Sequence, residues 1–344
     1  MKYFYMLYTQ GSFKVFLIIL TLVALLGCGT DGSGESAGTI TIYSGRSETL
    51  ISPLIDRFTK ATGVEASVKY AKTPQLAATL LEEGRNSPAD VFFAQDPGGL
   101  AAVDHLLVPL PSTILDRVPA WAISATGRWV GLSGRARTVV YNTDNLESAD
   151  LPDDISGFID PQWKGRIGWA PTNASFQTMI TAMRSVWGEA KTRQWLEGIQ
   201  ANDPKVYPKN TPIVAAVGAG EIDAGFVNHY YLHRFLAEEG DGFPARNYHP
   251  RSGGPGATIM VAGAGILEQS TNQDAAERFL EFLLSPEAQE YFARKTFEYP
   301  LSQDVEQSPG LAPLTDLNHP GLTAAQLSDI KGTQDILRQT GLLP

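Results

Sequence analysis

Cysteine is nearly absent from the 344-residue sequence, because Cys28 is the only one. A single thiol excludes an intrachain disulfide and any cysteine cluster for zinc or an iron–sulfur centre. The sequence has no cluster of Lys and Arg, and its formal net charge is -10, so we expect no nucleic-acid partner. A P-loop, a dinucleotide fingerprint and a Gly-x-Ser-x-Gly elbow are also missing, and we therefore expect a protein that is not an enzyme.

Strand and helix patterns alternate along two parts of the sequence, which is typical of an α/β protein. In the first part they predict strands at 39–43, 64–70 and 90–94 and helices at 49–62 and 74–84. We expect Thr73 to cap the second of these helices, with Pro74 at its first position. Later patterns predict strands at 139–141, 224–227 and 258–261 and helices at 175–186, 191–200, 213–217, 230–238, 272–284 and 286–295. The length is enough for two lobes with a cleft between them.

The first residues have the pattern of a secretory leader. An apolar run at 15–27 follows two lysines and is too short to span a membrane comfortably. It ends in Leu25-Leu26-Gly27-Cys28, which resembles the lipobox of bacterial lipoproteins, where the cysteine becomes a lipid-carrying N-terminus. We therefore predict a signal peptide at 1–27, then lipidated Cys28 and a small polar tether at 28–38. The alternatives are an uncleaved anchor and a buried free thiol.

Two adjacent tyrosines, Tyr230 and Tyr231, lie just after a predicted strand and at the start of a predicted helix. Neighbouring side chains diverge in regular structure, but a strand–helix junction can bring both phenols to one point. Phenolate is a hard, anionic oxygen ligand that suits a trivalent cation. A free phenol has a pKa of about 10, so the metal must displace protons. The spacing alone also fits two aromatic residues of the core or the cleft rim.

A series of motifs resembles the ferric-iron-binding proteins of bacterial iron ABC transporters over nearly all of residues 39–344. The motifs are Ile42-Tyr43-Ser44-Gly45, Pro88-Ala89-Asp90-Val91-Phe92, Leu132-Ser133-Gly134-Arg135-Ala136-Arg137, Trp163-Lys164-Gly165-Arg166-Ile167-Gly168, Asn228-His229-Tyr230-Tyr231 and Gly254-Pro255-Gly256-Ala257. The resemblance implies a two-lobe α/β fold of the periplasmic-binding-protein type, each lobe a mainly parallel sheet flanked by helices. We expect an N-terminal lobe at 39–135 plus 260–310 and a C-terminal lobe at 136–259 plus 311–344.

The same resemblance implies a metal site and an anion site. In that family the paired tyrosines bind the metal, which implies Fe³⁺ ligands at Tyr230 and Tyr231. Fe³⁺ with two phenolates keeps one positive charge, so we expect a carbonate- or phosphate-like anion to complete the shell. The matching donors are Arg135, Arg137, Asn173, Ala174, Ser175, Asn210 and Asn228. The alternatives are ion pairing for the two arginines and an ordinary helix cap for 173–175.

The sequence departs from the family pattern at two positions. Some members add a histidine ligand where this sequence has Ser47, and a glutamate ligand where it has Gln95. The resemblance therefore implies that the N-terminal lobe supplies little to the metal and that small anions or waters fill the remaining positions. Arg46 and Tyr207 are further possible cleft residues, the alternatives being a solvated loop arginine and a packing aromatic. Either Tyr207 or Tyr248 is also a candidate third phenolate.

These observations predict an extracytoplasmic solute-binding lipoprotein, monomeric, anchored to the cell membrane or in the periplasm. It would capture ferric iron and deliver it to the permease subunits of an ABC importer. A second hypothesis is an importer protein for a small organic anion, a phosphonate or a thiamine-like ligand on which the tyrosines stack. A third is an extracytoplasmic enzyme or sensor subunit on the same fold. A zinc-like site at His229 and His233 is a further alternative for the metal.

Overall fold

The computed structural model describes residues 38–302 and 304–344, so the predicted leader and Cys28 lie outside the described residues. The strands are β1 Thr39–Ser44, β2 Glu65–Tyr70, β3 Val91–Ala94, β4 Val130–Asn142, β5 Ile167–Trp169, β6 Lys205–Val206, β7 Ala224–Asn228, β8 Ala245–Tyr248, β9 Ile259–Ile266 and β10 Tyr299–Pro300. The helices are α1 Glu48–Thr62, α2 Thr73–Glu83, α3 Pro97–Ala102, α4 Ser112–Leu115, α5 Ala174–Ala201, α6 Asn210–Gly218, α7 Tyr230–Glu239, α8 Gln273–Leu283, α9 Pro286–Lys295 and α10 Ile330–Gln339.

Local sequence explains why the first elements form. β1 alternates Thr with Ile, and the two isoleucines, Ile40 and Ile42, are fully buried. α1 buries one apolar face, made of Ile51, Leu54, Ile55 and Phe58. Gly63 ends this helix in the left-handed conformation, with φ 73°. Because β1 then pairs parallel with both β2 and β3, the helices between these strands must cross over the sheet, which is the predicted alternation.

One strand, β4, belongs to both halves of the sheet. Its residues 130–136 pair antiparallel with β9, and residues 137–142 pair antiparallel with β7 and β8. All 13 of its residues are buried. The sequence predicted only 139–141 as strand, which is too short, because Ser133, Arg135 and Arg137 interrupt the apolar pattern. β4 therefore carries polar side chains into the interior at the point where the chain crosses from one half to the other.

The described residues form two large apolar clusters. The first packs α1 and α8 against the sheet, with the rings of Phe58 and Phe279 5.0 Å apart. The second packs α5 against β7, and the ring of Phe226 lies 5.4 Å from Phe158 and 5.3 Å from Trp195. Each cluster has its own strands and helices, so the predicted two-lobe α/β fold is confirmed. We call the part built on β1, β2, β3 and β9 the first lobe, and the part built on β5, β6, β7 and β8 the second lobe.

Some details differ from the prediction. Both lobes have mixed sheets, since β4 and β9 run antiparallel to their neighbours. The two helices predicted at 175–186 and 191–200 form one element, α5, which is broken at Gly188, where φ is 80°. Thr73 is the first residue of α2 and not its cap, and its hydroxyl accepts a hydrogen bond from the Gln95 backbone N–H at 2.9 Å. The predicted residue bounds of the two lobes stay a proposal.

Among residues 38–302 and 304–344, none of the helices combines the length and the apolar character that crossing a membrane requires.

Candidate functional site

The tyrosine pair lies at the end of β7, in the first turn of α7. The rings of Tyr230 and Tyr231 stack, with centroids 4.2 Å apart and planes inclined by 28°. Tyr230 is 2% exposed, whereas Tyr231 is half-buried. The Cα–Cβ bonds of a helix lean toward its N-terminus, so two side chains of a first turn can both extend past the start of the helix. The junction therefore brings the two phenol rings side by side, and the meeting of both oxygens at one point stays a prediction.

Tyr231 lines a cleft of about 770 Å³ to which both lobes contribute. The first lobe supplies loop residues, and the second supplies the start of α5 and the segment before α6. The cleft is lined by Gly45, Arg46, Ser47, Tyr70, Ala71, Lys72, Thr73, Pro74, Gln95, Thr172, Asn173, Ala174, Gln177, Pro208, Lys209, Tyr231, Gln334, Arg338, Leu343 and Pro344. This lining contains four basic side chains and no Asp or Glu, so the cleft favours anions although the chain is acidic overall.

Two arginines of β4, Arg135 and Arg137, are fully buried beside the pair. They are two residues apart on a strand, so their side chains leave the same face. Arg135 donates from Nη2 to the Val261 carbonyl at 3.2 Å, while its Nε and Nη1 have no hydrogen-bond partner. Among residues 38–302 and 304–344, neither arginine forms an ion pair. These contacts therefore do not support the alternative that the two arginines serve in ion pairs.

The pKa values of these arginines fall because they are buried. Burial, followed by the charge of Arg46, lowers the pKa of Arg135. Burial lowers the pKa of Arg137 to about 9, even though the neighbouring Tyr231 hydroxyl raises it. Arg137 nevertheless stays protonated at neutral pH, since its pKa of about 9 lies well above 7, and guanidiniums keep their charge in proteins. The interior beside the tyrosines therefore holds positive charge without carboxylate partners on these two side chains.

The predicted anion donors of the second lobe form one hydrogen-bond network. Arg137 Nη1 donates to Asn228 Oδ1 at 3.0 Å and to Ser175 Oγ at 3.3 Å. Asn210 Nδ2 donates to the same Ser175 Oγ at 3.2 Å. Asn173 caps α5, because its Oδ1 accepts from the Ser175 N–H at 3.1 Å and from the Ser175 hydroxyl at 2.6 Å. The predicted anion donors therefore include Asn173, which is also the ordinary N-terminal cap of α5.

Part of this group borders the cleft, and some of its buried donors and acceptors have no hydrogen-bond partner. Ala174, the first residue of α5, lines the cleft next to Asn173. Asn228 Nδ2 and Asn210 Oδ1 are buried and have no hydrogen-bond partner. The start of a helix also presents N–H groups and a positive dipole end. The arrangement can accept an oxyanion next to the two phenols.

The other predicted cleft residues have different surroundings. Ser47 is exposed at the cap position of α1, and Gln95 is half-buried in the cleft wall. Neither side chain is anionic or an imidazole. Arg46 is not a solvated loop arginine, since it is 2% exposed and its Nη2 donates to Glu298 Oε1. These three positions all border the cleft from the first lobe.

The two candidates for a third phenolate lie outside the cleft lining. The ring of Tyr207 packs on the apolar cluster around Ile213, and its hydroxyl has no hydrogen-bond partner. Burial, followed by the charge of Glu221, raises the pKa of Tyr207. The Tyr248 hydroxyl donates to the Pro152 carbonyl at 2.8 Å. Packing and this hydrogen bond account for both side chains, in agreement with the packing alternative.

The electrostatics of Tyr230 oppose its ionisation until a cation arrives. Burial, and after it the neighbouring Tyr231, raise the pKa of Tyr230 well above its usual range, and the charges of Arg46 and Arg135 act in the opposite direction. A buried phenol without a cation therefore stays neutral at physiological pH. A highly charged metal ion can reverse this balance, because it stabilises the phenolate directly.

His229 is held by both ring nitrogens and is not available to a metal. Its Nδ1 accepts from the Ala136 N–H at 3.1 Å, and its Nε2 bonds to the Phe297 carbonyl at 2.8 Å. The alternative of a site shared by His229 and His233 is therefore not supported. In the part of the chain that the structure describes, no group of three or more His, Cys, Asp or Glu side chains is arranged to hold a metal.

Two buried carboxylates near the site were not predicted. Asp96 caps α3 by accepting from the Gly99 N–H at 3.0 Å, and burial raises its pKa. The Asp-Pro pair at the end of β3 is a helix-start pattern that would have identified this cap. Glu298, which is fully buried, accepts from Arg46 and from the Ser133 hydroxyl. Nothing local marks Glu298, since Arg46 is 252 positions away in the sequence.

Comparisons with known proteins agree with the motifs. A sequence model of the family described as bacterial extracellular solute-binding protein matches residues 53–318. The chain is 36% identical over 328 residues to the major ferric iron-binding protein of Neisseria meningitidis, covering 93% of this chain and 98% of that protein. The structure of iron-bound HitA from Pseudomonas aeruginosa is 30% identical and matches with a TM-score of 0.85 over 88% of this chain and 99% of that chain.

A further solved structure contains an organic anion. The Trichodesmium protein IdiA (FutA), in complex with iron and citrate, is 28% identical and has a TM-score of 0.78 over 89% of this chain and 100% of that chain. Together these similarities confirm the resemblance to ferric-iron-binding proteins that the motifs indicated, over nearly the whole of each chain.

The buried His229 generates a prediction about stability and pH. Burial, and then the charges of His233 and His249, lower the pKa of His229 to about 3. Between about pH 6.5 and that value, the unfolded chain binds a proton that the folded chain does not, so stability must fall as the pH falls. We expect a loss from this group of roughly 3 kcal/mol between pH 6.5 and pH 4. Urea unfolding across this range measures the loss.

The matched variant for this test is His229→Gln, which keeps a neutral donor and acceptor. We expect its unfolding free energy to depend less on pH than that of the wild type over the same range. An unchanged slope would show that His229 is not the group whose protonation destabilises the fold.

Proposed function

The chain belongs to the bacterial extracellular solute-binding protein family, and from this premise we propose that it captures ferric iron outside the cytoplasm for an ABC importer. Its activity is capture and delivery without chemical turnover. The observation that carries the proposal is the stacked pair of Tyr230 and Tyr231, whose rings lie 4.2 Å apart and of which Tyr231 lines the inter-lobe cleft. The named relatives, a major ferric iron-binding protein and iron-bound HitA, support the choice of metal.

The proposed ligands are the two phenolate oxygens. Fe³⁺ is a small, hard cation, and it prefers anionic oxygen to the neutral and basic side chains that line the rest of the cleft. The pKa of Tyr230 is raised by burial and then by Tyr231, so binding must release protons. Iron capture in this mechanism weakens as the pH falls, because protons compete with the metal for the phenolates. Ser47 and Gln95 occupy the positions where some family members have a histidine and a glutamate ligand, and neither supplies an anionic or imidazole ligand.

We propose that a small oxyanion completes the site. Fe³⁺ held by two phenolates keeps one positive charge, and Glu298 is the only carboxylate paired with Arg46, Arg135 or Arg137 among the described residues. The unpartnered donors Arg135 Nε and Nη1, Arg137 Nε and Nη2, and Asn228 Nδ2 suit a planar or tetrahedral oxyanion. Carbonate and phosphate both meet this requirement. The start of α5 at Asn173 adds backbone N–H groups.

A second candidate is iron bound as a complex with an organic anion, or an organic anion alone. The cleft of about 770 Å³ is far larger than a carbonate needs, and four basic side chains line it. The similar Trichodesmium protein was solved with iron and citrate. Stacked tyrosine rings can also hold a flat organic ligand by contact with their faces. Thermal stabilisation by an organic anion alone, together with no colour change with ferric salts, would favour the form of this candidate that binds no iron.

Delivery follows from the family and from the leader. We propose that the lobes close around the metal, that the closed monomer docks on permease subunits, and that Cys28 carries the lipid that keeps the protein at the membrane. The apolar run at 15–27 and the Leu25-Leu26-Gly27-Cys28 motif support the lipid anchor. A lipid anchor confines the loaded protein to the surface where its permease lies, which shortens the search for it.

The tyrosine pair is tested by removing the hydroxyls one at a time. We expect Tyr230→Phe and Tyr231→Phe each to weaken ferric binding by at least about 100-fold, since loss of an outer-shell partner alone costs up to that much. The double variant should lose the visible tyrosinate-to-iron absorption band. Titration with ferric nitrilotriacetate, followed by visible spectroscopy, measures both effects. The control is Tyr291→Phe, whose hydroxyl bonds to the Leu50 carbonyl outside the cleft lining. A double variant with an unchanged band would refute the iron ligands.

The anion is tested through Arg137. In protein freed of small anions, addition of bicarbonate or phosphate should tighten ferric binding, and Arg137→Gln should abolish most of that gain. We expect an effect of roughly 10- to 100-fold, the size of a charge-assisted hydrogen bond of about 1.5–3 kcal/mol. Competition titrations with and without each anion give the values. Arg57→Gln, at an exposed arginine of α1, serves as the control. Equal anion dependence in wild type and Arg137→Gln would place the anion elsewhere.

The anchor is tested at Cys28. We expect the full-length protein to fractionate with bacterial membranes and to carry a lipid on Cys28, because the lipobox-like motif directs lipidation before cleavage. Cys28→Ser should shift the protein to the soluble fraction, with the iron spectrum of its folded part unchanged. Intact-mass spectrometry of the membrane fraction checks the modification. A mature mass without lipid would contradict the proposal.

A further inference from the structure

The segment from Phe297 to Tyr299 contacts the residues that carry the tyrosine pair. The Phe297 carbonyl bonds to His229 Nε2 at 2.8 Å, and its ring stacks on His233 with centroids 5.9 Å apart. The ring of Tyr299 lies 4.7 Å from that of His229. Phe297 also has φ 57°, a left-handed conformation that costs a residue other than glycine free energy and persists only where its surroundings enforce it. The segment is therefore fixed against the start of α7.

Glu298 lies inside this segment and is fully buried. One carboxylate oxygen accepts from Arg46 Nη2, and the other accepts from the Ser133 hydroxyl on β4. Its backbone N–H donates to the Phe292 carbonyl at 3.0 Å, which fixes the main chain as well. A buried carboxylate is costly without partners, so these contacts hold the charge of Glu298 in one place.

Arg46 is the partner whose position matters for the cleft. It follows β1 in the first lobe and lines the cleft together with Tyr231. It is 2% exposed, and its Nε has no hydrogen-bond partner. Among residues 38–302 and 304–344, Glu298 is the only carboxylate within ion-pair distance of Arg46. Without Glu298, this guanidinium would be a third buried positive charge beside Arg135 and Arg137, and repulsion would favour its movement into the open cleft.

We propose that Glu298 is a positioning residue of the metal site: it holds the Arg46 guanidinium at the cleft wall next to the tyrosine pair. There the positive charge stabilises the metal-bound phenolates of Tyr230 and Tyr231. The proposal rests on the proposed ferric function. In this proposal the charge of Arg46, on the first lobe, acts on the tyrosine ligands of the second lobe. The first lobe thus contributes to the site although Ser47 and Gln95 supply no anionic or imidazole ligand.

A merely structural role of Glu298 would have a different signature. A structural residue changes stability, and its effect on binding adds to that of any distant substitution. A residue that acts through Arg46 loses its effect on binding once Arg46 is gone. The two roles are therefore separated by a double-mutant cycle and not by a single variant.

The experiment compares wild type, Glu298→Gln, Arg46→Met and the double variant by competition titration with ferric nitrilotriacetate, with thermal unfolding measured in parallel. We expect each single variant to weaken ferric binding roughly 10- to 100-fold, as for loss of a charge-assisted contact. The double variant should bind ferric iron no more weakly than the single variant with the lower affinity. The charge-matched control is Glu287→Gln, at an exposed glutamate of α9, which should leave the affinity within about twofold, as surface substitutions usually do.

The outcomes are distinct. Unchanged affinity in Glu298→Gln, or additive losses in the double variant, would overturn the positioning role while leaving the ferric function intact. Absence of ferric binding in the wild type would overturn the ferric function and this role with it. If Glu298→Gln does not fold, Glu298→Asp replaces it. Aspartate keeps the carboxylate charge, but its side chain is one methylene shorter, so the charge lies farther from Arg46. That variant should weaken binding in the presence of Arg46 and have no effect in Arg46→Met.

Discussion

Two adjacent phenol rings can stack beside one cleft here because the backbone leaves a strand and enters a helix immediately before them. β7 ends at Asn228, and Tyr230 and Tyr231 occupy the first turn of α7, where their side chains extend past the helix start. Further along a helix the preceding turn would crowd them, and on a strand they would face opposite sides. The placement of β7 in the middle of the second lobe and the crossing of β4 between lobes set where this junction lies.

The surroundings of the pair combine burial with uncompensated positive charge. Arg135 and Arg137 enter the interior on β4, and Arg46 reaches it from the first lobe with Glu298 as its partner. Burying guanidiniums costs free energy unless polar or charged groups pair with them. In the proposed function, ionised phenolates, a ferric ion and an oxyanion would together balance these charges.

Much of this arrangement could be predicted from the sequence, because much of it is local. The alternation of β1, α1, β2, α2 and β3, the strand–helix junction at the tyrosines and the cap at Asn173 each depend on a few consecutive residues. Most of β4 could not be predicted as a strand, because Ser133, Arg135 and Arg137 break the apolar pattern on which strand prediction relies. Glu298 was missed for a different reason. Its role depends on a contact with Arg46 across 252 positions, and no local pattern carries such information.

We propose that one ferric ion binds between Tyr230 Oη and Tyr231 Oη at the cleft. The most direct measurement is an anomalous difference map, recorded at the iron absorption edge, from crystals of the protein loaded with ferric nitrilotriacetate. We expect a single strong peak within coordination distance of both phenolic oxygens, on the side of Arg137 and the start of α5. A peak at another place, or no peak in a folded protein whose Tyr230 and Tyr231 rings remain stacked, would contradict this iron site.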